Sequence, residues 1–195
     1  MSIALRLYLF LVIGLGCFQS THPVLSTYGT HLPMVAAVVN QTEGPILEMG
    51  SGHFSTPMLH SLCMKTGRTL YTYDTDKKWL GFFRYLENAW HKLIYVPVYE
   101  DDWEKNPKPW LWNGIGGSTH WSVVFIDHRP GERRIEDVRR LRKHTDIFIV
   151  HDTEEAGYQY EPTLSSFKYV YTFSRHRPYT TAVSDTVDVS KLFDY

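Results

Sequence analysis

The chain has 195 residues, 43% of them hydrophobic and 15% aromatic, enough apolar mass for one α/β domain with a sizeable core. Lys and Arg number 20 against 21 Asp and Glu, so no global positive field draws the chain onto nucleic acid or an anionic membrane. With only Cys17 and Cys63, a disulfide framework and a CxxC metal site are excluded, and no internal repeat supports a solenoid.

At the N-terminus, residues 1–26 carry the apolar run "LYLFLVIGLGCF" after Arg6. It has the pattern of a signal-peptide core, is short for a bilayer span, and is equally compatible with an anchor or a helix packed on the domain. Residues 27–195 form the expected domain. After the turn-rich "STYGTHLP", Ile46 to Met49 reads as a strand and Ser55 to Thr66 as a helix with Met58, Leu59, Leu62 and Cys63 on one face. Thr69 to Asp74 is a second strand, and Asp76 to His91 places Trp79, Phe83, Leu86 and Trp90 at helical spacing.

"KLIYVPVY" is a third strand, followed by a loop from Glu100 to Thr119 long enough for a lid, with Trp110, Trp112 and nearby Trp121 as stacking candidates. Ser122 to Asp127 is a fourth strand. Glu132 to His144 is a helix with Ile135, Val138 and Leu141 inside, and "DIFIVHD" is a fifth strand. The basic residues around that helix, Arg129, Arg133, Arg134, Arg139, Arg140, Arg142 and Lys143, read mainly as a solvated face, with Arg129 and Arg133 near enough the strand ends to meet an acidic substrate. "FKYVYTF" and "TTAVSDTVDV" then follow one another without a helix. The series predicts a doubly wound α/β fold: a mostly parallel, seven-stranded sheet with an antiparallel strand near the C-terminal edge.

In such a sheet a ligand sits at the carboxyl ends of the strands. The polar residues there are Glu48, Gly50, Ser51, Gly52, Asp74, Asp101, Asp102, Asp127 and Asp152. Glycines permit close backbone approach, and an acid just before them suits a cationic ligand better than a pyrophosphate. Ser55 stands where the dinucleotide fingerprint has its third glycine, which weakens a nicotinamide reading.

Glu48, "GSG" and Asp74 together resemble the cofactor site of class I S-adenosylmethionine-dependent methyltransferases, from about Tyr28 to Ser184. The resemblance implies that Glu48, Gly50, Ser51 and Gly52 lie beside the amino-acid end of S-adenosylmethionine. It further implies that Asp74 accepts the ribose hydroxyls, that Asp101 or Asp102 stands near the adenine, and that Asp127 borders the cofactor. "VVFIDHRPGE" with "VHDT" is similar to the metal-dependent, catechol-type O-methyltransferases, which implies Asp127 and Asp152 as ligands of Mg2+. Thr153 and Pro130 depart from that pattern, at the third ligand and the basic lysine.

Without a metal, Asp127, His128 and His151 are the catalytic candidates, with an imidazole as general base. His53 is a further contact candidate, while His60 and His120 read as structural. The expectation is methyl transfer to a small-molecule acceptor, oxygen before nitrogen, with no nucleic-acid partner. The alternatives are a non-catalytic S-adenosylmethionine-binding module and a nicotinamide-dependent oxidoreductase. A cofactor made in the cytosol implies a cytoplasmic protein, membrane-associated through residues 1–26 if at all, with secretion left open.

Overall fold

The computed structural model describes residues 28–97 and 119–193. Seven strands form one sheet: β1 Ile46–Met49, β2 Leu70–Asp74, β3 His91–Tyr95, β4 Trp121–Ile126, β5 Thr145–His151, β6 Tyr169–Phe173 and β7 Thr180–Ser184. Their order is β3-β2-β1-β4-β5-β7-β6. β1 lies between β2 and β4 with parallel pairing on both sides, and β3 and β5 extend the parallel run. β7 alone runs antiparallel, to β5 and to β6. The doubly wound sheet with one reversed strand near the C-terminal edge is therefore present as expected.

The central strands are apolar on both faces because helices cover both. Leu47, Met49, Val124, Ile126, Phe148 and Val150 point to one side, under Ile135, Val138 and Leu141 of α4 (Arg134–Leu141). Ile46, Val123, Phe125, Ile147 and Ile149 point to the other, under α1 (Leu32–Asn40), α2 (Ser55–Thr66) and the C-terminal turn Val189–Phe193. Burying one such Phe or Leu stabilises the fold by about 1.5–3 kcal/mol.

Three elements differ from expectation. α1 was not anticipated: Pro33 opens it, and Met34, Val35, Val38 and Val39 are buried, so tertiary burial overrides the weak helix propensity of its valines. The expected helix from Asp76 to His91 shrinks to α3 (Lys77–Gly81) and a 3-10 turn (Arg84–Leu86), with His91 already in β3. Asp76 caps α3 by accepting from the amides of Lys78 and Trp79, but Gly81 and the paired Phe82 and Phe83 are poor continuations. Trp121 is not a lid residue: it is buried in β4, edge-on to Tyr71. Trp110 and Trp112 lie outside the described residues.

The expectation of membrane association through the N-terminal run finds no support. No helix among the described residues is long and apolar enough to cross a membrane, and residues 1–26 lie outside them.

Candidate active site

The carboxyl ends of β1 and β2 meet at the glycine bend. Gly50 has φ +99°, a conformation glycine adopts at little cost, and donates to the Tyr73 carbonyl at 2.8 Å. A Cβ on Gly50 would stand 2.6 Å from the Asp127 carbonyl and the His128 amide nitrogen. Its bareness thus serves the approach of the β1 end to the β4 end. Next to it, Ser51 donates to Asp74 Oδ2 through its amide (2.7 Å) and its hydroxyl (2.5 Å). Asp74 Oδ1 accepts from the Asp76 amide at 2.8 Å, and Trp79 Nε1 holds the Ser51 carbonyl at 2.7 Å. An ionised carboxylate has about four lone-pair sites, and the three donors to Asp74 leave one of them, on Oδ1, for a further hydroxyl. Exposed His53 lies beside this bend, edge-on to the Trp79 ring at 4.8 Å.

Glu48, expected beside the amino-acid end of a cofactor, is enclosed beneath the glycine bend. It pairs in register with Thr72 on β2, and its carboxyl is fully buried on the α2 side of the sheet. Thr72 Oγ1 donates to Oε2 at 2.7 Å and Thr56 Oγ1 to Oε1 at 3.0 Å. Thr56 in turn accepts from the Gly52 amide at 2.9 Å. Glu48 therefore braces the glycine bend from beneath through Thr56. Burial drives its pKa up to about 7, against the hydrogen bonds of Ser55, Thr72 and Thr56. Behind Thr72 lies His91, with Nε2 at 2.9 Å from the hydroxyl and Nδ1 at 2.9 Å from His60 Nδ1. Burial, with help from His60, lowers the His91 pKa to about 4.

A second cluster sits at the ends of β4 and β5. Arg134, the first residue of α4, is buried, contrary to its reading as part of a solvated face. Its guanidinium bridges Asp127 Oδ1 (3.0 Å) and Asp152 Oδ2 (2.8 Å), and it also donates to the carbonyls of His128 and His151. Asp152 takes a left-handed φ of 58°. The two carboxylates assigned to Mg2+ thus hold a guanidinium between them. Thr153, at the third ligand place, turns its hydroxyl onto Thr181 Oγ1 at 2.8 Å. The Asp127 and Asp152 magnesium assignment is corrected on these grounds.

His151 Nδ1 faces Asp127 Oδ2 (3.3 Å) and Asp152 Oδ1 (3.4 Å), while Nε2 lies 3.1 Å from Thr30 Oγ1. Burial opposes the charged imidazole, but the Asp127 hydrogen bond and charge outweigh it and raise the His151 pKa. At 5% exposure His151 stands behind the two carboxylates, whose side chains are 28% and 26% exposed. Asp127 and Asp152 are the groups of this cluster that an acceptor can touch, and His151 backs them. His128 does not join them. It is buried with Nε2 3.0 Å from Asp137 on α4, so it is a packing histidine rather than a general base. His120 likewise pairs with Asp146 at 2.7 Å, away from the cluster, and Asp101 and Asp102 lie outside the described residues.

Two members of the cluster escaped the sequence reading. Thr30 and His31, at the start of α1, are delivered against β5 from the far end of the chain. His31 is the helix N-cap residue yet makes no capping bond; its ring is 3% exposed and packs 5.0 Å from Phe125 and 4.9 Å from His151. Neither ring nitrogen has a hydrogen-bond partner among the described residues. A buried polar group left that way costs about 1–3 kcal/mol. Burial, then the neighbouring His151, lowers its pKa to about 4. No spacing rule reaches it, because the only local signal is a histidine before Leu-Pro.

The sheet order, with β7 reversed, defines a methyltransferase fold, and solved methyltransferase domains share it. The METTL16 MTase domain superposes with a TM-score of 0.53 at 12% identity, over 80% of this chain and 67% of that one. The human methyltransferase 10 domain containing protein gives 0.52 at 12%, over 82% and 83%. The hMettl16 catalytic domain in complex with the MAT2A 3′UTR hairpin 1 gives 0.52 at 13%, over 81% and 69%. A further METTL16 N-terminal domain, 14% identical, was solved with SAH. No family model and no curated protein matches the chain. One of these neighbours was solved with a nucleic-acid hairpin, which stands against the expectations of a small-molecule oxygen acceptor and of no nucleic-acid partner.

Proposed function

We propose that the chain is an S-adenosylmethionine-dependent methyltransferase whose acceptor is a nucleic acid. The observation that carries the cofactor reading is Asp74. It ends β2 beside the glycine bend, in a fold similar to that of a domain solved with SAH, and its Oδ1 keeps one lone pair for a ligand hydroxyl. In this reading Asp74 and the bend from Gly50 to Gly52 hold the cofactor, with Asp127 at its border. Bound there, S-adenosylmethionine supplies an electrophilic methyl carbon.

The protein's own part is alignment and proton removal. Asp127 and Asp152 face the acceptor side, and Arg134 fixes their orientation. Their outer lone pairs take a proton from the acceptor, and His151 stabilises the charge behind them. The catechol-type likeness rests on the two short segments alone, and the Arg134 bridge speaks against its metal chemistry.

The surface supports the acceptor class. The turn between β6 and β7 lies at the same sheet edge as His151, which pairs with Thr180, and carries exposed Arg175, His176 and Arg177. Exposed Arg129 follows β4 at that edge. A near-neutral chain with local arginines beside the site suits phosphate contacts at short range. The test is transfer of labelled methyl from S-adenosylmethionine to structured RNA and to DNA, alongside calorimetric cofactor binding. Cofactor binding without transfer to either would overturn the acceptor class; absence of cofactor binding would overturn the whole reading.

A further inference from the structure

The cluster at β4 and β5 includes a buried histidine, His31, that the proposed methyl transfer does not use. We infer that His31, Asp127 and His151 bind one divalent first-row transition ion of the zinc, cobalt(II) or ferrous type. One ligand atom from each lies within 4.8 Å of the others, and Asp127 Oδ2 is already 3.3 Å from His151 Nδ1. Tetrahedral ligation at about 2.0–2.2 Å sets donors about 3.3 Å apart, a spacing that His151 and Asp127 already have and that His31 reaches by closing about 1.5 Å at most.

His31 is the independent observation. It is nine-tenths buried and aimed at this cluster, with both ring nitrogens unpartnered among the described residues. A side chain at an N-cap that forgoes capping and gains no other hydrogen bond is explained by a ligand that its lone pair meets. The surrounding groups orient the second imidazole. Thr30 has one hydroxyl proton and donates it to the Pro178 carbonyl at 2.7 Å, so its oxygen accepts from His151 Nε2–H at 3.1 Å. That hydrogen bond fixes the tautomer and leaves Nδ1 on the Asp127 side, the usual second-shell arrangement of a ligating histidine.

Charge and ligand type choose the ion. With His151 neutral, as a metal ligand is, two carboxylates, Asp127 and Asp152, face one guanidinium, Arg134, which leaves a net negative charge for a cation, and Arg134 occupies only Oδ1 of Asp127. Two nitrogens and one oxygen favour zinc, cobalt(II) or iron(II) over magnesium or calcium, which take oxygen sets. The partly exposed Asp127 side opens a further coordination position toward the crevice. The inference does not depend on the methyltransferase reading.

The experiment uses the full chain after dialysis against chelator. Cobalt(II) is followed by its visible absorption, and zinc(II) by competition with a chromogenic chelator. The expected result is one ion per chain, with zinc displacing cobalt. His31→Leu and Asp127→Asn should each weaken zinc binding by about 100-fold, Thr30→Val by about tenfold, and His60→Gln should leave it unchanged. Circular dichroism of each variant checks folding. If the wild-type chain takes up no stoichiometric ion, or if folded His31→Leu and Asp127→Asn variants bind as tightly as wild type, the site does not exist. Loss of binding in His60→Gln would move it to the His60 and His91 pair and equally overturn the inference.

Discussion

The Ser51 amide and hydroxyl both donate to one oxygen of Asp74, at 2.7 and 2.5 Å, joining the end of β1 to the end of β2. The same carboxylate thus shapes the glycine bend and, in the proposed function, meets the ribose. Asp74→Ala removes a charged acceptor whose hydrogen bonds contribute about 1.5–3 kcal/mol, so S-adenosylmethionine affinity should fall about 10- to 100-fold by calorimetry. Ser51→Ala keeps the acceptor and should cost less than Asp74→Ala. Unchanged affinity in a folded Asp74→Ala protein would remove the ribose assignment.

Gly50 offers a sharper structural test. An alanine there meets the backbone of Asp127 and His128 at 2.6 Å and must also hold φ near +99°. Backbone on both sides cannot yield cheaply, so Gly50→Ala should lower unfolding stability by about 3 kcal/mol. Gly67, at φ +69° in the α2 C-cap, has nothing within 4 Å of an added Cβ. Gly67→Ala should therefore cost only about 1 kcal/mol. Similar losses in urea denaturation would show that close approach of the strands is not what Gly50 provides.

Arg134 makes a prediction that separates geometry from charge. It serves two carboxylates and two carbonyls at once. Arg134→Met leaves the two aspartates facing each other and should destabilise the fold by about 3 kcal/mol. Arg134→Lys keeps the charge but not the planar fork, and should recover less than half of that loss. Full recovery by lysine, read from urea midpoints, would show that charge alone suffices.

These residues also mark what the sequence could and could not disclose. The strands were legible because each central one is a short apolar run ending in a polar residue, and Asp74, Asp127 and Asp152 fell at the carboxyl edge by topology alone. The inward turn of Glu48 was not legible, since β1 is four residues long and apolar on both faces, so periodicity does not say which face an acid takes. Arg134 sits in a helix with an apolar stripe, where a basic residue ordinarily meets solvent. Its burial depends on two carboxylates brought near by other strands. His31 depends on contact with a residue 120 positions away, which no local pattern encodes.

Glu48 gives the prediction with the clearest pH signature. Its folded pKa is raised, chiefly by burial, from the ordinary 4.5 to about 7. Between those values the folded chain holds a proton that the unfolded chain has released, so this group's contribution to stability is fully present below pH 4.5. It falls as pH rises and is lost through pH 7, by on the order of 3 kcal/mol. His91 acts in the opposite sense: its folded pKa near 4 lies below its ordinary 6.5, so its share of stability is lost as pH falls through that range. Comparing two variants cancels this term. Glu48→Gln keeps an uncharged group of the same shape among Ser55, Thr56 and Thr72, and removes the titration. Relative to wild type it should become progressively more stable from pH 5 to pH 8 in urea unfolding, because only the wild-type chain must bury a carboxylate at the upper end. Parallel stability curves for the two proteins would mean that Glu48 is ionised throughout and that the hydroxyls around it, rather than its proton, offset its burial.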